Sequence, residues 1–434
     1  MRVDDRPVPT IGGDRPAVEP WPANLHIGVE RQPVVNYVYD DYTVAYDAPG
    51  ITYDDVQDWP YERFDLFCKF HGLTISTGTP DPEGRFDAGH VEMTLDNRDG
   101  SLSQYDAAGR LVDWAPGSRL DIWAVLDAEP WWLFSGRVTA WRERQDDTVE
   151  VEAFDAFSDL NEQVAEWDPG VYGDTVAARL TAICTEHGYT GPTRFDLGDV
   201  TLHSYFTTAT PLEELQAVAI SDGGVVHVDA DGTLIYRDRT WITGRDDQPA
   251  IPVFSDNYCD ADFHVWDAEM TTDDEVIVNK ASLTNVADIT VTAVNQPSVD
   301  RYGPQALARS ADQWIDLADG QALADFLVTR RGDHYLRLDG FNLHLRDPRQ
   351  DLWRVGIDRR LGDLVTWMHE QPTTTGINLV ILNLAVQQIT HDITPESWVA
   401  TLATTRTVGN VVALRYDRTP FDYDDADPRV VYAL

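Results

Sequence analysis

Alternation with a period of two dominates the early part of the chain. Val91, Met93 and Leu95 point one way while Glu92 and Thr94 point the other. Leu120, Ile122, Ala124 and Leu126 repeat the period, as do Val149, Val151 and Ala153 against Glu150 and Glu152. Successive side chains of a strand face opposite sides, so each run predicts a half-buried strand. Several such runs in series predict an antiparallel sheet or small barrel, placed at residues 61–170. "PGSR" (Pro116–Arg119) and "FSGR" (Phe134–Arg137) read as turns or bulges within it.

The period then changes. Val176, Leu180, Ile183 and Cys184 fall on one helical face, with Asp174 as N-cap and Gly188 as the stop. In "TPLEELQAVAISDGG", Thr210 caps, Pro211 takes the first helical position and Glu213 completes a capping box. Two strands around Asp231-Gly232 follow, a hairpin signature. Residues 171–250 are therefore an α+β insertion module. Residues 251–408 return to strands, with Phe341, Leu343 and Leu345 alternating against Asn342, His344 and Arg346, and with one helix over Leu317–Arg331 that ends at Gly332. "LGDLVTW" (Leu361–Trp367) resembles "GSRLDIW" (Gly117–Trp123), and a further strand follows each, "LNLAVQQITHDI" and "LFSGRVTAW". The echo predicts two related β-barrels in one chain. The class is mainly β with an α+β insertion. Residues 1–60 and 409–434, rich in Tyr and Asp and broken by Pro and Gly, read as extended arms lying along a neighbour, or alternatively as disordered termini.

Charge sharpens the picture. The net charge is −41, with 33 Lys and Arg against 74 Asp and Glu; Lys69 and Lys280 are the two lysines. Such a balance argues against a surface that grips nucleic-acid phosphates. Two readings of the acidity stand side by side. One is a GC-rich genome. The other is adaptation to high salt, where the screening length shrinks to ~3 Å at 1 M. There is no run of ~18 uncharged apolar residues, as a membrane helix requires, and Met1–Pro20 has no apolar signal core. Cys68, Cys184 and Cys259 are too far apart for a CxxC pair or a disulfide framework.

One stretch looks at first like a calcium loop, "HVEMTLDNRDGSLSQYD" from His90 to Asp106. Aligned on Gly100, its first ligand position falls on Leu95 and its twelfth on Asp106 rather than Glu, so the EF-hand pattern fails. A structural corner fits: Asp96 and Asn97 end a strand and Asp99-Gly100 turn. An incidental cation between Asp96, Asp99 and Asp106 is the alternative. Walker A, GxGxxG, GxSxG and HExxH motifs are missing, and His187, His203, His227, His264, His334, His344 and His391 lack ligand spacing. No catalytic residue, cofactor or resident metal is expected. Trp131, Trp132, Trp141, Trp314, Trp353, Trp367 and Trp398 read as core and interface, or as a sugar-binding platform.

Taken in order, "HGLTISTGTPDPEGRFDAGHVEMTLDNRDGSL", "PGSRLDIW", "WLFSGRV", "AISDGGVVHVDADGTLIYRDR", "EVIVNKASLTN" and "VQQITHDITPESWVATL" resemble the minor tail or baseplate hub proteins of tailed viruses over roughly residues 70–405. Each motif alone is loose, and the order is the specific part. The resemblance implies two hub-type β-barrels with an inserted α/β region and a homotrimeric ring of near-six-fold symmetry. That ring joins the hexameric distal tail or tail tube to a tip fibre or spike, meets the tape-measure protein and lets DNA pass. It also implies a virion tail-tip location after assembly in the host cytoplasm. The competing classes are a receptor- or carbohydrate-binding tip protein and a tail-associated cell-wall hydrolase. Exposed aromatics on one rim, with no trimeric channel, would favour the first rival, a closed ring with a wide lumen would favour the hub, and the missing catalytic signatures speak against the hydrolase.

Overall fold

The computed structural model describes residues 23–31, 62–65, 69–79, 85–103, 116–126, 129–161, 167–241, 251–257, 261–271, 277–332, 337–346, 352–373, 376–407 and 412–416. The first region holds β1 (Ala23–Arg31), β2 (Glu62–Asp65), β3 (Phe70–Gly78), β4 (His90–Asp96), β5 (Arg119–Leu126), β6 (Glu129–Glu143) and β7 (Thr148–Phe154). The predicted alternation holds: Val91, Met93, Leu95, Val149, Val151 and Ala153 are buried, and their Glu and Thr neighbours face outward. On β5 both faces are covered, since Asp121 and Trp123 are buried beside Leu120, Ile122 and Ala124. Leu126 lies outside the described side chains. Phe134–Arg137 is not a turn but lies between two bulges of β6, at Leu133 and Thr139. It lies inside β6, where Gly136 lets the strand pass close to β7: a Cβ there would sit 2.2 Å from the Phe154 carbonyl oxygen.

The module that follows holds β8 (Asp174–Thr175), α1 (Val176–Glu186), β9 (Thr193–Phe195), β10 (Thr201–Leu202), α2 (Pro211–Asp222), β11 (Val225–Val228) and β12 (Leu234–Arg237). The capping box on α2 is complete, with Thr210 Oγ1 accepting from Glu213 N and Glu213 Oε2 accepting from Thr210 N. On α1 the cap is Thr175, not Asp174. Asp174 has other work, accepting from Val171 N and pairing with Arg179. Asp231-Gly232 makes the predicted hairpin turn, with Gly232 at φ +83°.

The last region holds β13 (Val253–Ser255), β14 (Phe263–His264), β15 (Trp266–Thr271), β16 (Lys280–Asn285), β17 (Thr290–Val294), α3 (Gln296–Tyr302), β18 (Ala306–Asp312), α4 (Leu317–Arg331), β19 (Arg337–His344), α5 (Trp353–Ile357), β20 (Leu364–Thr373), β21 (Gly376–Ile393), β22 (Trp398–Arg406) and β23 (Val412–Tyr416). One helix was expected here and three occur among the described residues. Helices α3 and α5 have seven and five residues, too short for a visible 3.6 periodicity. Strands β16, β17 and β18 form a separate three-stranded sheet under α4. Leu323, Ala324 and Val328 of α4 belong to the same buried core as Ala281, Leu283, Val291 and Ala293 of that sheet.

The predicted repeat is visible in the topology. Strand order β5-β6-β7-β4-β3 in the first half matches β20-β21-β22-β19-β15 in the second. The match extends to single hydrogen bonds. Gly117 N donates to Val138 O and Val138 N to Ser118 O (2.7 and 2.8 Å); Gly362 N donates to Val386 O and Val386 N to Asp363 O (both 2.8 Å). Both glycines have left-handed φ, +98° and +85°. A register shift follows each valine, between Val138 and Ala140 and between Val386 and Gln388. The insertion β16–α4 sits between β15 and β19, where the first half passes directly from β3 to β4.

The halves are not separate bodies. Strand β21 pairs with β20 over its first part and with β3 over its last, so both halves share one 15-stranded sheet that branches at β21. No ring of pairings closes among the described strands, so the sheet is open where two barrels were expected. The two arms contribute to it: β1 pairs with β5 and β23 with β21. The rest of residues 1–60 and 409–434 lies outside the described residues. No helix among the described residues is long and apolar enough to cross a membrane.

Candidate functional sites

The stretch from His90 to Ser103 is a corner in which protein cations pair with the carboxylates of Asp96 and Asp99. Arg98 donates to Asp96 through Nε (2.8 Å) and its backbone N (2.9 Å), holding that carboxyl well below its usual range. Lys69 Nζ sits 2.6 Å from Asp99, which it lowers to about 2 with help from the Ser101 backbone. Asn97 ties the turn by accepting from Leu102 N (2.8 Å) and donating to Ser103 (3.0 Å). Asp106 lies outside the described residues, which contain no group of three or more metal-ligating side chains.

The junction of the halves presents a polar face on β21, β3, β4, β7 and β6. Thr74 donates to Asp392 (2.8 Å), Arg142 pairs with Glu152 (2.7 Å) and Arg144 with Glu150, beside Glu92 and His90. The opposite side of the same strands is apolar core. One junction histidine is internal: His391 is buried, and its Nδ1 accepts from Trp398 Nε1 at 3.2 Å. Burial pushes it down to about 4. Between pH ~4 and ~6.5 the unfolded chain then binds a proton that the folded chain refuses, so this contribution falls as pH drops through that window. Asp155, pushed up to about 7 by burial, acts in the opposite sense and loses its contribution as pH rises through 7. Asn at position 391 keeps an acceptor for Trp398 without titrating. Denaturant unfolding should therefore show wild type losing ~2–3 kcal/mol relative to His391→Asn between pH 7 and pH 4.5. A constant difference would refute a neutral buried His391.

A charged seam crosses the module. Arg179 is fully buried on the apolar face of α1, donating to the carbonyls of Val171 (3.0 Å) and His203 (3.1 Å), to Gln313 Oε1 (3.3 Å) and to Asp174 (3.3 Å). Gln313 in turn donates to Glu214 and Tyr205 (both 2.6 Å). Asp222 accepts from Tyr236 OH and from the backbone N of Asp199 and Val200. Burial raises both Glu214 and Asp222. This seam was missed in the sequence, where its one signal is an arginine among the core positions of α1.

Two clefts flank the module. One, of about 530 Å³, lies against β5 and β6 and contains Asp155 and Asp159. Asp155 accepts from Gly89 N (2.6 Å) and Phe157 N (2.9 Å), and Asp159 pairs with Arg137 (3.2 Å). Asp155 is held by two backbone donors, whereas Asp159 sits in an exposed pair. The other cleft, of about 490 Å³, lies between α2, β18 and α4 and is lined by Arg85, Arg309, Arg330 and Arg331 with Asp312. Of the seven tryptophans singled out in the sequence, Trp141, Trp314, Trp353, Trp367 and Trp398 are buried, and Trp131 and Trp132 half-buried.

Neither a protein-family model nor a curated protein sequence matches the chain. Solved structures do. The tail protein from Neisseria meningitidis superposes with a TM-score of 0.54 at 12% identity, covering 80% of this chain and 93% of that one. The prophage MuSo2 tail protein from Shewanella oneidensis gives 0.55 at 14%, covering 88% and 98%. Motif order and fold agree: the chain has the fold of a tailed-virus tail protein.

Proposed function

We propose that the chain is a structural, non-catalytic hub at a viral tail tip. Three copies form a ring joining a hexameric tail tube to a three-fold fibre or spike. The observation that carries this reading is the internal repeat, down to the paired Gly117–Val138 and Gly362–Val386 hydrogen bonds. A partner with six like contacts requires six like faces, and two per chain taken three times supply them. The two halves act as the barrel units of the ring and alternate around a channel. The polar face with Glu92, Glu150, Glu152 and Asp392 lines that channel and repels passing DNA, whereas a basic lining would hold phosphates.

Light scattering in ~1 M salt should give the mass of three chains. With −41 charges on each, dialysis to ~0.1 M should weaken the ring and the fold, because repulsion is then screened over ~10 Å instead of ~3 Å. Tight duplex binding in a shift assay at moderate salt would contradict the acidic channel. A monomer at every salt concentration would contradict the hub. An assembly indifferent to low salt would remove only the high-salt adaptation.

A further inference from the structure

The cleft between α2, β18 and α4 inverts the charge balance of the molecule. Four arginines and one aspartate line it, Arg309 being paired with Asp312 at 2.7 Å, in a chain whose acidic residues outnumber its basic ones by more than two to one. Its walls are partly apolar, from Ile220, Phe326 and Leu327. One wall is also strained. Strand β18 bulges at Ser310 and Ala311, and Ala311 sits at φ +65°, a left-handed conformation that alanine rarely adopts. Bulges re-aim side chains and recur beside binding sites. A cationic cleft with apolar walls suits a peptide that alternates carboxylates with aromatic rings. It suits a DNA duplex poorly, because about 490 Å³ admits a few side chains and not a double helix.

We propose that this cleft takes the acidic C-terminal arm, residues 417–434, of a neighbouring copy. The arm contains Phe421, Asp422, Tyr423, Asp424 and Asp425 in succession. Its direction favours a neighbour over its own chain. The cleft adjoins β22 at Thr405, to which Arg330 donates (3.4 Å), and Thr405 lies opposite Ala385 of β21. Strand β23 runs the other way along β21, from Val412 opposite Ile381 to Tyr416 opposite Ile377. Strand β23 thus carries the chain away from Thr405 and ends at Tyr416, eight β21 positions from Ala385. Eighteen residues reach at most about 60 Å when extended, and the mixed-chain experiment below distinguishes a neighbour's cleft from the arm's own.

The proposal rests on the multi-copy reading above, and the mass of the same samples separates the two. Full-length Ser310→Cys and full-length Asp424→Cys chains are mixed in assembly salt and oxidised. The mixture should give an inter-chain product well above that of either variant alone, which also controls for the native cysteines. Adding Arg85→Glu and Arg330→Glu to the Ser310→Cys chain should cut it at least ten-fold, with the melting temperature showing that the fold survives. Excess synthetic peptide 417–434 should do the same. If the copies associate and no mixed product forms, the proposal fails. It also fails if a single chain carrying both cysteines links only to itself, or if duplex DNA, and not the peptide, suppresses the product. Should the chain prove monomeric, labelled peptide 417–434 still decides. Binding that falls ten-fold with the two arginine reversals supports the cleft, and no binding overturns it.

Discussion

Gly78→Val should cost roughly 3–5 kcal/mol and loosen the junction between the two halves of the chain. Gly78 ends β3 at φ +91°, where a β-branched residue is strained by about 1–2 kcal/mol before any contact is considered. Contacts make it worse. A Cβ there would lie 2.2 Å from the Gln387 carbonyl oxygen and 2.9 Å from Gln388 Cα, both backbone atoms of β21. Neither retreats unless β3 and β21 separate, and that pairing ties the halves together. Urea unfolding should show the loss, with the β3 and β21 amides exchanging faster than those of α4. Gly100→Ala is the control for left-handed strain alone, since nothing lies within 4 Å of a Cβ at that exposed turn. Equal costs at the two sites would contradict the packing explanation.

Arg179→Met should destabilise the chain by a similar ~3–5 kcal/mol, although methionine fills much of the volume and adds apolar surface. The loss comes from what remains behind: the carbonyls of Val171 and His203, the Gln313 amide oxygen and Asp174 all lose a donor. Each buried acceptor left unsatisfied costs about 1–3 kcal/mol. Lysine should rescue poorly, because one ammonium cannot reproduce the fork of a guanidinium. Arg144→Ala, which removes an exposed and solvent-screened pair with Glu150, should cost far less. If Arg179→Met proved as mild as Arg144→Ala, the seam would not be holding α1 to Gln313.

Legibility followed the range of the determining forces. The strands with polar outer faces announced themselves because burial alternates along them, as at Val91, Met93 and Leu95. Helix α2 did so because its cap is written in adjacent residues, Thr210 to Glu213. Single-residue competition was harder to read: Asp174 suits an N-cap, but Arg179 and Val171 claim its carboxylate and leave the cap to Thr175. The repeat was legible as a faint echo at residues 117 and 362. That the halves merge into one sheet was not, because the β3–β21 pairing spans over three hundred residues and depends on a glycine whose close approach leaves no local pattern. The arginine-lined cleft was equally hidden. Arg85, Arg309 and Arg330 are scattered in sequence and meet only when the module packs against β18 and α4. At the acidic corner the turn was legible in Asp99-Gly100, whereas the pairing of its carboxylates with Lys69 and Arg98 was not.

The central claim, three chains presenting six like units, is tested most directly by averaged electron-microscope images of the purified assembly in molar salt, viewed along its axis. The account predicts a ring with three-fold symmetry in which six lobes of two alternating kinds surround an open channel. A ring of any other symmetry, three lobes without a channel, or single particles of one chain would contradict it.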